Sequence, residues 1–353
     1  MSNIPEPSVT PLVSVEVANR LAQRARPGPL EIAFWLAAAA SIFLLPDRHL
    51  ILTEIAVLGL FALSLDLILG YAGIVSLGHA AFFGFGAYVA GLLAKHQIIS
   101  EPVLALLAAG VAATALGFVT SFLVLRGSDL TRLMVTLGVA LVLREIANQM
   151  GELTGGADGL HGVTMAPVLG LFRFDLYGHT AYVYSLIVLF VLFVLARRIV
   201  NSPFGLSLQS IKGNALRASA VGIPVNGRLV AIYTIAAGYA GIAGALLTQT
   251  TAFASLDVFS FERSADLLLV LIIGGAGYLY GGLIGAILFK LMQDYLSALT
   301  PQYWPFWIGL LLVAIVLIGR ERITSWTAPI RALAMRLDWR ARRAPPLSVT
   351  EVR

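Results

Sequence analysis

Residues 70–94 read GYAGIVSLGHAAFFGFGAYVAGLLA, a run with no charged side chain and an unusual density of glycine. A stretch this long and apolar calls for lipid as its solvent. Within lipid its backbone must be helical or be enclosed by other helices. Gly70, Tyr71, Ala72 and Gly73 read as a break in helix at the start of the stretch. Beyond them Ala80, Gly84, Ala87 and Gly91 recur at intervals of four, three and four, which sets small residues on one helical face where another backbone can approach. A broken, closely packed helix suits a solute pathway. A lipid anchor needs neither feature.

The rest of the chain agrees. Of 353 residues, 58% are hydrophobic and 12% are charged, about half the charged fraction of an ordinary soluble domain. The fold class expected is an all-α polytopic membrane protein, because the short alternating segments of a β-barrel are absent. The chain has no cysteine, which excludes disulfides and thiol chemistry. The net charge of +5 gathers at both ends and in one central loop, the pattern of cytoplasmic span ends and not of a nucleic-acid surface. No phosphate loop, HExxH motif or nucleophile–base pair is found. Glycine pairs such as Gly84/Gly86 and Gly275/Gly277 lack the preceding strand that a dinucleotide fingerprint needs.

Residues 1–29 read as a cytoplasmic tail, 30–320 as the transmembrane domain and 321–353 as a basic cytoplasmic tail. Apolar runs fall at about 31–45, 51–69, 74–94, 103–125, 130–150, 181–196, 229–250, 265–273, 283–299 and 304–319. Two inward tails require an even number of crossings. Ten spans are expected, or eight if the glycine-rich breaks at 70–73 and 274–282 are re-entrant. One such break in each half suggests an internal repeat of about five spans.

Polar groups inside these runs are candidates for the pathway. His79 follows the first break and Asp66 precedes it. The alternative for His79 is a bond to a neighbouring helix; for Asp66 it is exposure at the interface. Arg144 and Glu145 are sequence neighbours on different helix faces and are expected to pair elsewhere or to snorkel. Lys290 and Asp294 can pair along one face. Ala237, Gly241, Gly244 and Thr248 form a second small-residue face, with Gly241 and Gly244 as packing residues. TGGADGLHG, from Thr154 to Gly162, is either a flexible external connection or a docking surface. The segment Ser202–Val225 carries Leu206, Leu208, Ile211, Ala215 and Ala218 as the apolar face of a short helix outside the bilayer, which a partner or the interface must cover.

GYAGIVSLGHAAFFGFGAYVAG, TGGADGLHGV, SPFGLSLQSIKGNALRASAVGI, YTIAAGYAGIAGALL and IIGGAGYLYGGLIGAI, taken in order, resemble the signatures of the LivM-type permeases of branched-chain amino acid ABC transporters. The resemblance covers about residues 50–320. It implies a multi-pass subunit of the bacterial inner membrane, paired with a second related permease, two cytoplasmic ATPases and a periplasmic solute-binding protein. ATP would be bound by the partners and no cofactor by this chain. The resemblance marks 202–225 as the coupling loop, matched at Gly205, Leu208, Ile211, Asn214, Arg217, Gly222 and Ile223. Lys212 and Gly213 stand where the family often has an arginine and an acid. The substrate would be branched-chain amino acids or related small polar solutes. An ion-coupled secondary transporter, with Asp66 and His79 titrating, is the main rival. An intramembrane enzyme would need paired polar groups at one depth, and none is evident.

Overall fold

The computed structural model describes residues 28–318, apart from 128 and 176. The expected tails, save for residues 28 and 29, lie outside the described residues. Ten helices of fourteen residues or more are described. They are α1 Pro29–Leu44, α2 His49–Asp66, α3 Ala80–Lys95, α4 Pro102–Val124, α5 Asp129–Gln149, α6 His179–Val200, and then, after the short helices α7 Pro203–Gly213 and α8 Ala215–Ala220, α9 Val225–Thr251, α10 Phe261–Gly274, α11 Leu279–Leu299 and α12 Trp304–Ile318. Five candidate spans meet both the length and the apolarity needed to cross a membrane: Pro46–Tyr71, which contains α2, together with α4, α6, α9 and α11. Helices α1 and α3 are apolar but shorter. The molecule is therefore an α-helical, multi-pass membrane protein.

Two compact units are present, one of residues 41–292 and the other, among the described residues, of 28–40 and 293–318. The second holds most of α1 and all of α12, apolar helices in which, among the described side chains, Ile308 alone is buried.

The larger unit is built around α9, which packs against α3 and α4. Its interior inverts the pattern of a soluble core. On α4, Ala105, Ala109, Gly110, Ala113 and Gly117 are buried, whereas Leu104, Leu107, Val111, Val119, Phe122 and Leu123 face outward. Lipid solvates large apolar side chains as well as protein does, so close backbone packing decides what lies inside. A methyl group added to Gly86 would strike the Gly241 backbone, and one added to Gly244 would strike the Phe83 carbonyl. Gly241 itself lies against Ala113, and Gly117 against Ala237. The expected face of α3 is thus only part of the seam. Gly84 meets the ring of Phe259, and Gly91 meets Leu160 and Thr248, while it is Gly86 that meets the backbone of α9.

The break after α2 is present and longer than expected. Leu67–Tyr71 forms a π turn, the wider helix that leaves backbone groups unmatched. The N–H groups of Ala72 and Ile74 both fall on the Ile68 carbonyl. Residues 73–79 are not helical, and α3 begins only at Ala80 instead of at the expected 74. Gly73 has φ +75°, a conformation that favours glycine. Leu77 N–H donates to Thr136 Oγ1 at 3.3 Å and Ala80 N–H to Ser264 Oγ at 3.1 Å. Side chains of α5 and α10 thereby satisfy backbone that a continuous helix would have satisfied itself, the condition for irregular structure inside a membrane protein.

Candidate functional site

The most distinctive polar cluster gathers where the two glycine breaks meet. Asp66, at the last turn of α2, is fully enclosed, and its Oδ1 accepts from Gly277 N–H at 2.6 Å. A Cβ on Gly70 would overlap both that carboxylate and the Gly277 backbone. Gly277 has φ +85° and lies in the link between α10 and α11. The breaks expected in separate halves of the chain therefore pack on each other, with glycine on both sides because no side chain fits between them. Asp66 is a clasp within this junction and is not exposed at an interface.

His79 is likewise enclosed. Its Nε2 shares a 2.8 Å hydrogen bond with Ser64 Oγ, and its ring stacks on Phe61 at 5.8 Å. Ser64 also donates to the Phe61 carbonyl. The arrangement ties the residue before α3 back to the last turn of α2, so His79 sits as a bonded interior group joining two helices.

The segment 202–225 lies beside the same junction. Ser202 accepts from Gly205 N–H at 3.4 Å and caps α7, and Pro203 occupies the first turn, where its missing N–H costs no helix bond. Gly205 has no space for a side chain against the Val200 backbone. Asn214 is extended, ends α7 and caps α8 by accepting from Arg217 N–H at 2.9 Å. Gly222, at φ +90°, closes α8. Several residues that marked this loop in the sequence thus have a local mechanical reason.

The loop has two faces. Ser207, Leu208, Ile211 and Ala218 are buried within the chain itself, where α7 packs against α6, α9 and the π turn. Of the apolar face read as needing a cover, Leu208, Ile211 and Ala218 are covered by the bundle and Leu206 is half-buried, while Ala215 is exposed, a partial correction with a simple cause. Asn214 interrupts the helix, so α8 does not continue the phase of α7. The outward face is different. Leu216 and Val221 are each 83% exposed, and Arg217 lies exposed beside them. Lys212 points the other way. Its Nζ donates to the Gly70 carbonyl at 2.6 Å, and its stem lies against Gly73. Arg228 crosses the Phe204 ring at 5.2 Å, which fastens the start of α9 to α7.

On another part of the larger unit, TGGADGLHG is pinned, which removes the flexible reading. Thr154 Oγ1 donates to the carbonyls of Ala147 and Met150. Leu160 pairs with Ala254 through a single antiparallel bridge and is fully buried against Gly91. Lys290 forms an ion pair with Glu54 of α2.

Helices interrupted by glycine, seams without side chains and a polar two-helix excursion are the parts of a membrane permease. The profile of the family described as branched-chain amino acid transport system, permease component, matches residues 49–318. The chain belongs to this family. It is 26% identical to the high-affinity branched-chain amino acid transport system permease protein LivM of Escherichia coli strain K12, over 76% of this chain and 68% of that one. It is 23% identical to the probable branched-chain amino acid transport permease protein LivM of Methanocaldococcus jannaschii, over 73% and 86%. It is 27% identical to the L-arabinose ABC transporter permease protein AraH of Azospirillum brasilense, over 75% and 78%. No solved structure matches. The chain is a permease subunit of an ABC importer, a transport component and not an enzyme.

Proposed function

We propose that this chain forms one half of a solute pathway through the bacterial inner membrane, beside a second permease, and is driven by two ATPases that grip α8. The observation that carries this reading is the two-faced loop at 202–225. One face is locked into the bundle, and the other presents Leu216, Arg217 and Val221 outward. Residues 201–228 contain no acid, and Arg217 stands beside Leu216 on the exposed face. They suit a cleft with an apolar floor and an acidic rim on the ATPase. A periplasmic binding protein delivers the solute, ATP is held by the partners, and this chain binds no cofactor. Gly205, Leu208, Ile211, Asn214, Gly222 and Ile223 shape the loop that makes the contact.

The ten long helices support ten crossings with both tails in the cytoplasm. The face toward the second permease and the solute is best supplied by α5. Arg144, Glu145, Asn148 and Gln149 are exposed on that helix beside Val142, Ile146 and Met150, and Glu145 accepts from Gln149, one turn along the same helix, at 2.7 Å. Charged groups facing hydrocarbon are costly, so such a face belongs against protein or water. Asp66 and His79, enclosed as they are, serve this reading as structural supports and do not favour ion coupling. Branched-chain amino acids are the proposed substrates, as the names of the LivM relatives indicate. An arabinose permease at similar identity supports a final selection of solute by the binding protein.

The test is association. In the co-expressed complex, Leu216→Asp or Val221→Asp is expected to abolish co-purification of the ATPases while the chain still inserts, because each would place a charge where an apolar anchor seats, a loss of about 2 kcal/mol or more. Full retention of the ATPases in both variants would sink the reading.

A further inference from the structure

We infer that Lys212 is a positioning residue that carries motion of the loop into both broken helices, a role that rests on the docking of ATPases at α8. Three observations meet at one place. Lys212 Nζ donates to the Gly70 carbonyl. That carbonyl sits where the helix pattern fails, because Ile74 N–H, which would bond it in an α-helix, goes to Ile68 instead. A cation at an orphaned carbonyl near a helix C-terminus is favoured by both charge and hydrogen bonding.

The second observation is that Gly70 does not stand alone. It lies against Gly277, whose N–H is held by Asp66 from the turn just before Gly70. A pull on Gly70 thus reaches the α10–α11 link through one carboxylate and one close backbone contact. The third observation is what lies downstream. Residues 73–79 connect Gly70 to α3 without helical bonds and hang on Thr136 of α5 and Ser264 of α10. Displacing α7 by the length of a hydrogen bond therefore acts on α2, α3, α5, α10 and α11 through a single ammonium group. Leu208 and Ile211 keep α7 seated; Lys212 is the one side chain of α7 shown bonded to the π turn.

Among the described residues, no other cation is shown bonded to Gly70, which makes the substitution readable. In the full complex reconstituted with its binding protein, Lys212→Met is expected to leave ATPase co-purification intact and solute-stimulated hydrolysis within about twofold, while solute moved per ATP falls about tenfold, the scale of losing one charge-assisted hydrogen bond. Lys212→Arg, which keeps a donor, should restore most of that ratio. Because the chain has no cysteine, a second reading is available. Ser76→Cys places a thiol at a buried position of the 73–79 segment, and its labelling by a small maleimide should accelerate severalfold when Lys212→Met is added. An unchanged transport-to-ATP ratio, or unchanged labelling, overturns the inference. So does loss of the ATPases from Lys212→Met, which would make Lys212 a docking contact. Failure of the docking reading itself shows separately, as retention of the ATPases by Leu216→Asp and Val221→Asp.

Discussion

At the scale of single residues, much of this protein is decided by where a side chain is forbidden. Gly86 and Gly244 face backbone across the α3–α9 seam. Gly86→Val or Gly244→Val is therefore expected to lower the thermal stability of the purified complex, at about 1–3 kcal/mol for an overpacked contact. Gly227, in the first turn of α9, has open space where a methyl group would sit, with nothing within 4 Å, so Gly227→Ala should leave the melting temperature unchanged or raise it. A comparable loss at Gly227 would refute the seam as the cause. The small-residue rule found Gly241 and Gly244 and the general character of α3. It did not find Gly86, because spacing along one helix cannot say which of several glycines meets another helix's backbone and which meets a ring, as Gly84 does. The role of Gly222 was legible for a different reason, since a glycine at positive φ that ends a helix is local chemistry.

At the scale of elements, boundaries are set by who satisfies the backbone. The N-terminus of α6 shows this in an exposed loop. Asp175 accepts from His179 N–H at 3.2 Å and Thr180 N–H at 2.9 Å. Burial alone would raise its carboxyl, but these backbone bonds outweigh it and hold the pKa below the ordinary carboxylate range. The native state therefore binds this proton less readily than the unfolded chain. Its stabilising contribution is complete above the unfolded value of about 3.9 and is lost as pH falls through the lower folded value. Removing the charge with Asp175→Asn should narrow the stability gap between neutral and acidic solution, read as melting temperature against pH, with wild type and variant converging below about pH 4. Convergence at neutral pH would contradict the capping role. That 202–225 carries a short helix was legible from composition and from the glycine and proline at its end, but its division into α7 and α8 was not. Their outward face was not, because 206–218 reads as one amphipathic helix until the extended residue at Asn214 resets the phase. Leu216 and Val221 would have stood out had that cap been recognised.

At the scale of the whole molecule, the membrane class was plain from the apolar runs, and each run corresponds to one of the ten long helices described. The meeting of the two glycine breaks was not legible. It depends on a contact between residues 70 and 277, and no local pattern records which distant glycine will fill a gap. The proposed ten crossings with inward tails would place the exposed Gln97 outside and the exposed Ser219 inside. In intact spheroplasts a membrane-impermeant maleimide should label Gln97→Cys directly, and Ser219→Cys only after permeabilisation, with the cysteine-free parent as a silent background. Labelling of both from the same side would overturn the topology.

The inversion seen on α4, with alanine and glycine inward and leucine, valine and phenylalanine outward, bears on how such a sequence can drift. Lipid accepts any large apolar side chain in exchange for another, so the outer surface can change identity freely at constant hydrophobicity. The interior has little room even for a methyl at seam positions such as Gly86. Random substitution would thus read this bundle inside out, with its bulky residues replaceable and its smallest ones fixed.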